Sequence, residues 1–245
     1  MGVGRLLRRL RPTVLPGGDR ACPVCGAQDI ALQTFHQRPH AECPACGSLE
    51  RHRSLALWLD RSGALSEVTD VLHFAPEPGF EAHLRSRVAG RYITADLEAG
   101  RAEEQIDVCA ISYDAASFDL VVCNHVLEHV PDDHLALTEL HRVTRPGGLT
   151  IVSVPWIPRP TEQDPSVTDP AERAARFGQF DHVRAYGPDI VDRIAAAGFE
   201  ADMIDPRTHI EAGERERFGL VHHIPGLDAE ADHQWLVPMG RRPAR

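Results

Sequence analysis

Six cysteines carry the first recognisable chemistry in this 245-residue chain. Four of them form two matching pairs, Cys22-Pro23-Val24-Cys25-Gly26 and Cys43-Pro44-Ala45-Cys46-Gly47, with 17 residues between Cys25 and Cys43. This is the spacing of a four-sulfur metal site. Two residues between cysteines let one tight turn bring both thiolates to one ion, and two such turns give a tetrahedral set. The glycine after each second cysteine accepts positive φ, so the turn can aim backbone N–H groups at the sulfurs. Zinc is the expected ion, with iron the alternative the same ligands would suit. Two metal-free buried pairs would not explain the duplicated C-P-x-C-G, and a redox pair needs only one copy. Metal is therefore expected on Cys22, Cys25, Cys43 and Cys46. A unit of about 30 residues needs such an ion, because apolar burial alone does not fold so short a segment. Cys109 and Cys123 lie in apolar stretches and read as buried thiols.

The composition narrows the setting. All 26 basic residues are arginine, which with 19 prolines points to the codon bias of a high-GC bacterial genome and to no function. The net charge of −10 divides unevenly: residues 1–60 hold eight arginines against five acids, and the rest holds 18 against 31. With 42% hydrophobic and 25% charged residues, the chain is neither disordered nor fibrous. It has no run of about 18 apolar residues to span a bilayer. Arg5, Arg8, Arg9 and Arg11 break up Leu6, Leu7 and Leu10, so no secretory apolar stretch is read there. Paired cysteines suited to a reducing compartment agree with a cytoplasmic protein, and no membrane partner is expected. The basic arm, residues 1–20, carries leucines at helical spacing and could touch an anionic partner or remain a solvated tail.

The positioning elements follow from periodicity. Leu55, Trp58 and Leu59 share a helical face. Residues 71–75 read as a short buried strand, and Phe80, Leu84 and Val88 then recur at the spacing of one helix face. Residues 92–95 form the next strand and end at Asp96; 106–109 are a weak third, and 120–123 a strong fourth. A helix is expected over 131–144, with Asp132 and Asp133 favouring its N-terminal end and Arg145-Pro146-Gly147-Gly148 ending it. Residues 150–154 make a fifth strand, 188–197 a helix, and 199–204 and 234–238 two more strands. Such alternation predicts an α/β, mostly parallel sheet covered on both faces. The expected divisions are the arm (1–20), a four-cysteine module (21–52) and one α/β domain (53–245). Ligands bind such sheets beyond the carboxyl ends of the strands, where residues 75–79, Asp96, Asp107 and 124–129 fall.

The run Phe118-Asp119-Leu120-Val121-Val122-Cys123-Asn124-His125-Val126-Leu127-Glu128-His129-Val130-Pro131 resembles the fourth-strand motif of class I S-adenosylmethionine-dependent methyltransferases. Leu140-His141-Arg142-Val143-Thr144-Arg145-Pro146-Gly147-Gly148 resembles the motif that follows it. Over about residues 68–205 the chain is similar to the type-11 methyltransferases, a bacterial subgroup of which carries N-terminal Cys-x-x-Cys knuckles. The resemblance implies a Rossmann-like, doubly wound, seven-stranded sheet with a small zinc-ribbon-like module. It implies an enzyme that binds S-adenosylmethionine through Phe74, Ala75, Glu77, Gly79, Asp96, Leu97, Asp107, Val108, Asn124 and His125. Asp96 would accept hydrogen bonds from both ribose hydroxyls. Asp107 resembles the acceptor for the adenine amino group, with Val108 against the ring. The loop departs from the family's acid followed by G-x-G-x-G: here it is His73-Phe74-Ala75-Pro76-Glu77-Pro78-Gly79. Ala75 and Glu77 replace two glycines, and the prolines stiffen the loop. Glu77 could instead meet the cofactor's ammonium or sulfonium.

Methyl transfer requires an acceptor held in line with the S–CH3 bond, and such positioning supplies on the order of 7–11 kcal/mol. A base is needed only if the acceptor must lose a proton. In relatives a His-x-Arg-x-Tyr stretch can close over the acceptor. His182, Arg184 and Tyr186 stand in that stretch here, in a lid expected over 155–187. His182 is the candidate base or orienting group, and Arg184 the candidate for a carboxylate or phosphate; alternatively both anchor the lid. The expected reaction is methyl transfer to a small-molecule acceptor. An RNA acceptor gripped by the cysteine module is disfavoured by the acidic body, since phosphate binding needs a positive face. A cofactor-binding protein that does not methylate is the third reading, left open by the altered loop.

Overall fold

The computed structural model describes residues 17–36, 38–220 and 236–244. Most of the expected arm (1–16), the pair His222-His223 and the first residues of the strand expected at 234–238 lie outside the described residues. The cysteine turns leave room only for short strands: β1 (Gly17–Arg20), β2 (Gln33–Phe35) and β3 (Arg38–Glu42), of which β2 and β3 form an antiparallel hairpin. Helix α1 (Glu50–Arg61) follows at once. Alternating apolar stretches then give β4 (Val71–Phe74), α2 (Pro78–Arg85), β5 (Tyr92–Asp96), β6 (Glu104–Gln105), β7 (Phe118–Cys123), α3 (Asp133–Val143) and β8 (Thr144–Ile151). A short antiparallel pair, β9 (Glu162–Gln163) and β10 (Arg184–Ala185), brackets α4 (Pro170–Phe177). The chain continues through α5 (Ile190–Ala196), β11 (Glu200–Ile204), α6 (Ala212–Arg217) and β12 (Val237–Arg241).

Among the described residues the central sheet has seven strands, ordered β11-β12-β8-β7-β4-β5-β6. Strands β8, β7, β4, β5 and β6 run parallel, and β12 inserts antiparallel between β8 and β11. The strand order reverses between β4 and β7, so the ligand-binding switch point lies at their carboxyl ends. No helix among the described residues is long and apolar enough to cross a membrane.

Three boundaries differ from the sequence reading. The third strand is Glu104–Gln105 rather than 106–109, because Ile106 and Val108 turn into the core around an exposed Asp107. Arg145-Pro146-Gly147-Gly148 opens β8 instead of ending the preceding helix, and the β7–β8 register shifts between Phe118 and Leu120. Proline is tolerated in a strand at such an irregularity. The final strand starts at Val237 and reaches Arg241.

Side chains alternate across the sheet. Leu72, Phe74, Val121 and Cys123 pack against Leu137 and Leu140 of α3 and Ile190 of α5. Val71, Leu120 and Val122 share the other core with Leu55 and Leu59 of α1 and Phe80 and Leu84 of α2. Cys22, Ile30, Leu32, Cys43 and Cys46 belong to this same core, so the cysteine segment and the sheet bury apolar surface together. Helix α2 starts where the altered loop ends, with Glu77 as N-cap and Pro78 at a first-turn position that its fixed φ suits. Pro78 of this loop thus begins a helix. Asp132 caps α3, its carboxylate accepting from the Leu135 N–H at 2.9 Å.

Candidate active site and metal centre

The two knuckles bring four sulfurs together. Gly26 N–H donates to Cys22 O and Gly47 N–H to Cys43 O, both at 2.8 Å, with φ of 75° at Gly26 and 71° at Gly47. The sulfurs of Cys22 and Cys46 are 3.6 Å apart and those of Cys25 and Cys43 3.8 Å, and all four lie within 4.8 Å of one another. A tetrahedron with Zn–S bonds near 2.3 Å has edges of about 3.8 Å, so the set has the dimensions of a zinc site. Ser48 Oγ lies 3.2 Å from Cys22 Sγ and 3.0 Å from Cys46 Sγ, placed to donate to a thiolate. Without a cation four thiolates cannot coexist here. Hydrogen bonds from Cys25, Cys43 and Cys46 pull the Cys22 thiol far below its ordinary pKa, and the reciprocal interactions with Cys22 push Cys43 and Cys46 far up. An ion on the site would displace the remaining protons.

This cluster sits against the loop expected to hold the cofactor. A Cβ on Gly79 would lie 2.6 Å from Cys46 O and 3.2 Å from Cys46 Cβ. Gly79 therefore admits the second knuckle. His83 reinforces the junction, with Nδ1 3.0 Å from Val24 O. Ala75, in the place of the family's first glycine, adopts φ of 46°, the region glycine favours, and donates its N–H to Ala95 O at 2.8 Å.

Glu77 is also engaged elsewhere. Its two oxygens face His52 Nε2 at 3.1 Å and His73 Nε2 at 3.3 Å. Leu49 N–H donates to His52 Nδ1 at 3.1 Å, which leaves the His52 proton on Nε2, toward Glu77. The second His73 nitrogen lies 2.8 Å from the Tyr92 hydroxyl. Burial favours the neutral acid, but His52 and His73 outweigh it and hold the Glu77 carboxyl well below the usual carboxylate range. Glu77 thus ties α1 to β4.

The other expected cofactor residues line the carboxyl edge of the parallel strands. Asp96 ends β5 with Oδ1 accepting from Glu98 N–H at 2.8 Å, and Leu97 beside it is 65% exposed. Asp107 accepts from Cys109 N–H at 2.8 Å, and Val108 is buried. The Phe74 side chain is in the core, leaving only its backbone to the loop. Asn124 and His125 follow β7; His125 has φ of 53° and donates its N–H to Ser153 O at 2.7 Å.

A cavity of about 550 Å³ opens beyond β7 and β8. His125, Glu128 and His129 line it from the turn after β7, His182 from the segment before β10, Arg38 from the β2–β3 hairpin and Arg51 from α1. At or beside it, Arg51 Nε, Asn124 Oδ1, His125 Nε2 and Glu128 Oε2 are buried and find no hydrogen-bond partner among the described residues. Buried polar groups are ordinarily paired, so this concentration marks a place for a ligand. Burial pushes the Arg51 pKa down, against the charges of Glu77, Glu50 and Glu128.

Of the three candidate catalytic residues only His182 reaches this cavity. It is 7% exposed, and its Nδ1–H donates to Phe177 O at 2.9 Å. Arg184 is buried and donates to the carbonyl oxygens of Leu127 at 2.8 Å and Pro131 at 2.7 Å, and to that of Val130. The Tyr186 hydroxyl, fully buried, donates to Asp133 Oδ2 at 2.8 Å. In this structure both anchor the lid to the turn after β7. The sequence reading found the apolar face of α1 at Leu55, Trp58 and Leu59 but missed its polar residues. There Arg53, fully buried, donates to the carbonyls of Phe218, Ala41, Ser48, His40 and Gly219 at 2.7 to 3.5 Å. The available clue was Glu50-Arg51-His52-Arg53, a polar run opening a helix whose Leu55 and Leu59 are core.

Residues 78–152 match a family model described as a methyltransferase domain. No curated protein sequence matches the chain. Among solved structures it is similar to a Galdieria sulphuraria protein assigned as a sarcosine dimethylglycine methyltransferase, at 14% identity and a TM-score of 0.52, over 82% of this chain and 89% of that one. It is similar also to a Bacillus halodurans protein assigned as a methyltransferase, at 16% identity and a TM-score of 0.50, over 77% of this chain and 98% of that one. At these identities the likeness is one of fold. Residues 78–152 thus form a methyltransferase domain set in this Rossmann-like sheet, and the chain carries a four-cysteine cluster near its N-terminal end.

Proposed function

We propose that this protein transfers the methyl group of S-adenosylmethionine to a small molecule bound in the cavity beyond β7 and β8. The cavity carries the reading: its volume of about 550 Å³ falls within the roughly 300–1,000 Å³ of small-molecule sites. The β2–β3 hairpin supports it over an RNA acceptor, because Phe35, His36 and Arg38 form a cavity wall. Residues 21–52 are read as a structural zinc module, 53–245 as the methyltransferase domain and 155–187 as its lid.

The bound cofactor would supply an electrophilic sulfonium methyl. Asp96 would accept from the ribose hydroxyls, Asp107 from the adenine amino group, and Leu97 and Val108 would flank the ring. The backbone at Phe74 and Ala75, with Asn124 and His125, would border the methionine part. The chain's own residues orient the acceptor and exclude water. Arg51 favours an acceptor that bears a carboxylate or phosphate, which its planar fork matches. His125 orients the reacting group, with His182 beside it on the cavity wall.

Asp96→Ala is expected to weaken S-adenosylhomocysteine binding at least about tenfold in titration calorimetry, since hydrogen bonds to a charged group contribute about 1.5–3 kcal/mol. The melting temperature should hardly change, because the carboxylate's structural bond is the local one to Glu98 N–H. Unchanged affinity would remove the cofactor from the end of β5.

A further inference from the structure

Glu128, His129 and His182 converge in the cavity, with one potential ligand atom from each within 4.8 Å of the others. We propose that these three residues hold a divalent transition-metal ion, separate from the four-cysteine site, with open coordination positions facing the cavity.

Three observations carry this. The first is the donor set. Two imidazoles and one carboxylate suit zinc, iron, cobalt or manganese, whereas calcium and magnesium prefer all-oxygen ligands.

The second is orientation. His182 donates Nδ1–H to Phe177 O at 2.9 Å, which leaves its Nε2 lone pair free. His129 Nδ1 lies 3.4 Å from Asp181 Oδ2. Metal-bound imidazoles are held in this way, with the second nitrogen on a carbonyl or carboxylate that fixes the ring. The two rings meet edge to face, with centroids 4.8 Å apart.

The third is unmet charge. Glu128 is 2% exposed; Oε1 lies 3.2 Å from His125 Nδ1, while Oε2 has no hydrogen-bond partner among the described residues. A buried carboxylate is costly unless a cation or donors compensate it, and an ion beside Oε2 supplies that compensation.

The backbone assembles the site. Val183 N–H donates to Glu128 O at 2.8 Å, and Arg184 clasps the carbonyls of Leu127 and Pro131. These bonds bring His182 beside Glu128 and His129 although more than 50 residues separate them in sequence. Arg184 is thereby a positioning residue for the ion. Three protein ligands leave at least one position open, which a hydroxyl or carboxylate oxygen of the acceptor would take. That acceptor class rests on the methyltransferase reading; the ion site does not.

The test uses the full chain with its four-cysteine site filled by zinc. Manganese(II), which does not compete with zinc for thiolates, is titrated and followed by the loss of its free-ion EPR signal. One further equivalent per chain is expected. Glu128→Gln and His182→Gln should each weaken it at least about tenfold. Asp181→Asn, which touches no metal, should weaken it by about tenfold through the His129 ring, within the 10–100-fold typical of such outer partners. Zinc content and melting temperature serve as the folding check. Binding that stops at one zinc, or manganese bound equally well by Glu128→Gln and Asp181→Asn, would overturn the proposal. The readout needs neither cofactor nor acceptor, so its failure leaves the methyl-transfer reading standing.

Discussion

Replacing Cys43 by serine is expected to loosen far more than one knuckle. Serine keeps the shape but not the soft thiolate, and structural zinc sites contribute an apparent 10–16 kcal/mol in small peptides. Whole domains have only about 5–15 kcal/mol of stability. Cys22, Cys43 and Cys46 share one core with α1, α2 and the sheet, and Cys46 lies against Gly79 at the start of α2. Loss of the ion should therefore spread into the loop that borders the cofactor. Zinc should fall from about one per chain to near zero, because a structural site has four protein ligands and loses its closed set with one of them. If even 4 kcal/mol is lost, the melting temperature should drop by about 8–16 °C. Hydrogen exchange should rise across 22–48 and 78–86 while α3 and α5, in the opposite core, stay protected. A metal-free Cys43→Ser protein that melts with the wild type would show that the cluster binds no structural ion.

Arg53→Met should be the most damaging substitution outside the cysteines. Methionine fills much of the volume but leaves buried the carbonyls of Ala41, Ser48, His40, Phe218 and Gly219 without their donor. Each buried group left unpaired costs about 1–3 kcal/mol. A loss on the order of 5 kcal/mol, read as a lower urea midpoint at unchanged slope, is expected. Arg53→Lys should recover only part of it, because an ammonium has three donors on a point charge where the guanidinium has a fixed fork of five. A change of less than about 1 kcal/mol in Arg53→Met would mean that water replaces the guanidinium, and that this arginine does not bind the cysteine segment to the 218–219 turn.

The sheet and the four-cysteine set were legible because both are written in local sequence: short apolar runs at 71–74 and 120–123, and two residues between paired cysteines. What lies across space was not. Gly79 was legible as a place needing close backbone approach, but its partner is Cys46, 33 positions earlier. Glu77 was legible as an unusual acid, but the histidines that engage it come from α1 and β4. The His-x-Arg-x-Tyr stretch located the lid. Which of its side chains face inward depends on carbonyls at 127–131, and carbonyls leave no trace in a sequence. Arg51, His52 and Arg53 were missed because a charged run at a helix start ordinarily means solvent; here the cysteine segment and the 218–219 turn cover it.

The cofactor site is tested most directly by a crystal structure of the full chain with S-adenosylhomocysteine. Adenosine is predicted at the carboxyl ends of β4 and β5, with both ribose hydroxyls on Asp96 and the sulfur directed past His125 toward the cavity of about 550 Å³. Cofactor lying away from Asp96, or a sulfur pointing away from that cavity, would contradict the assignment.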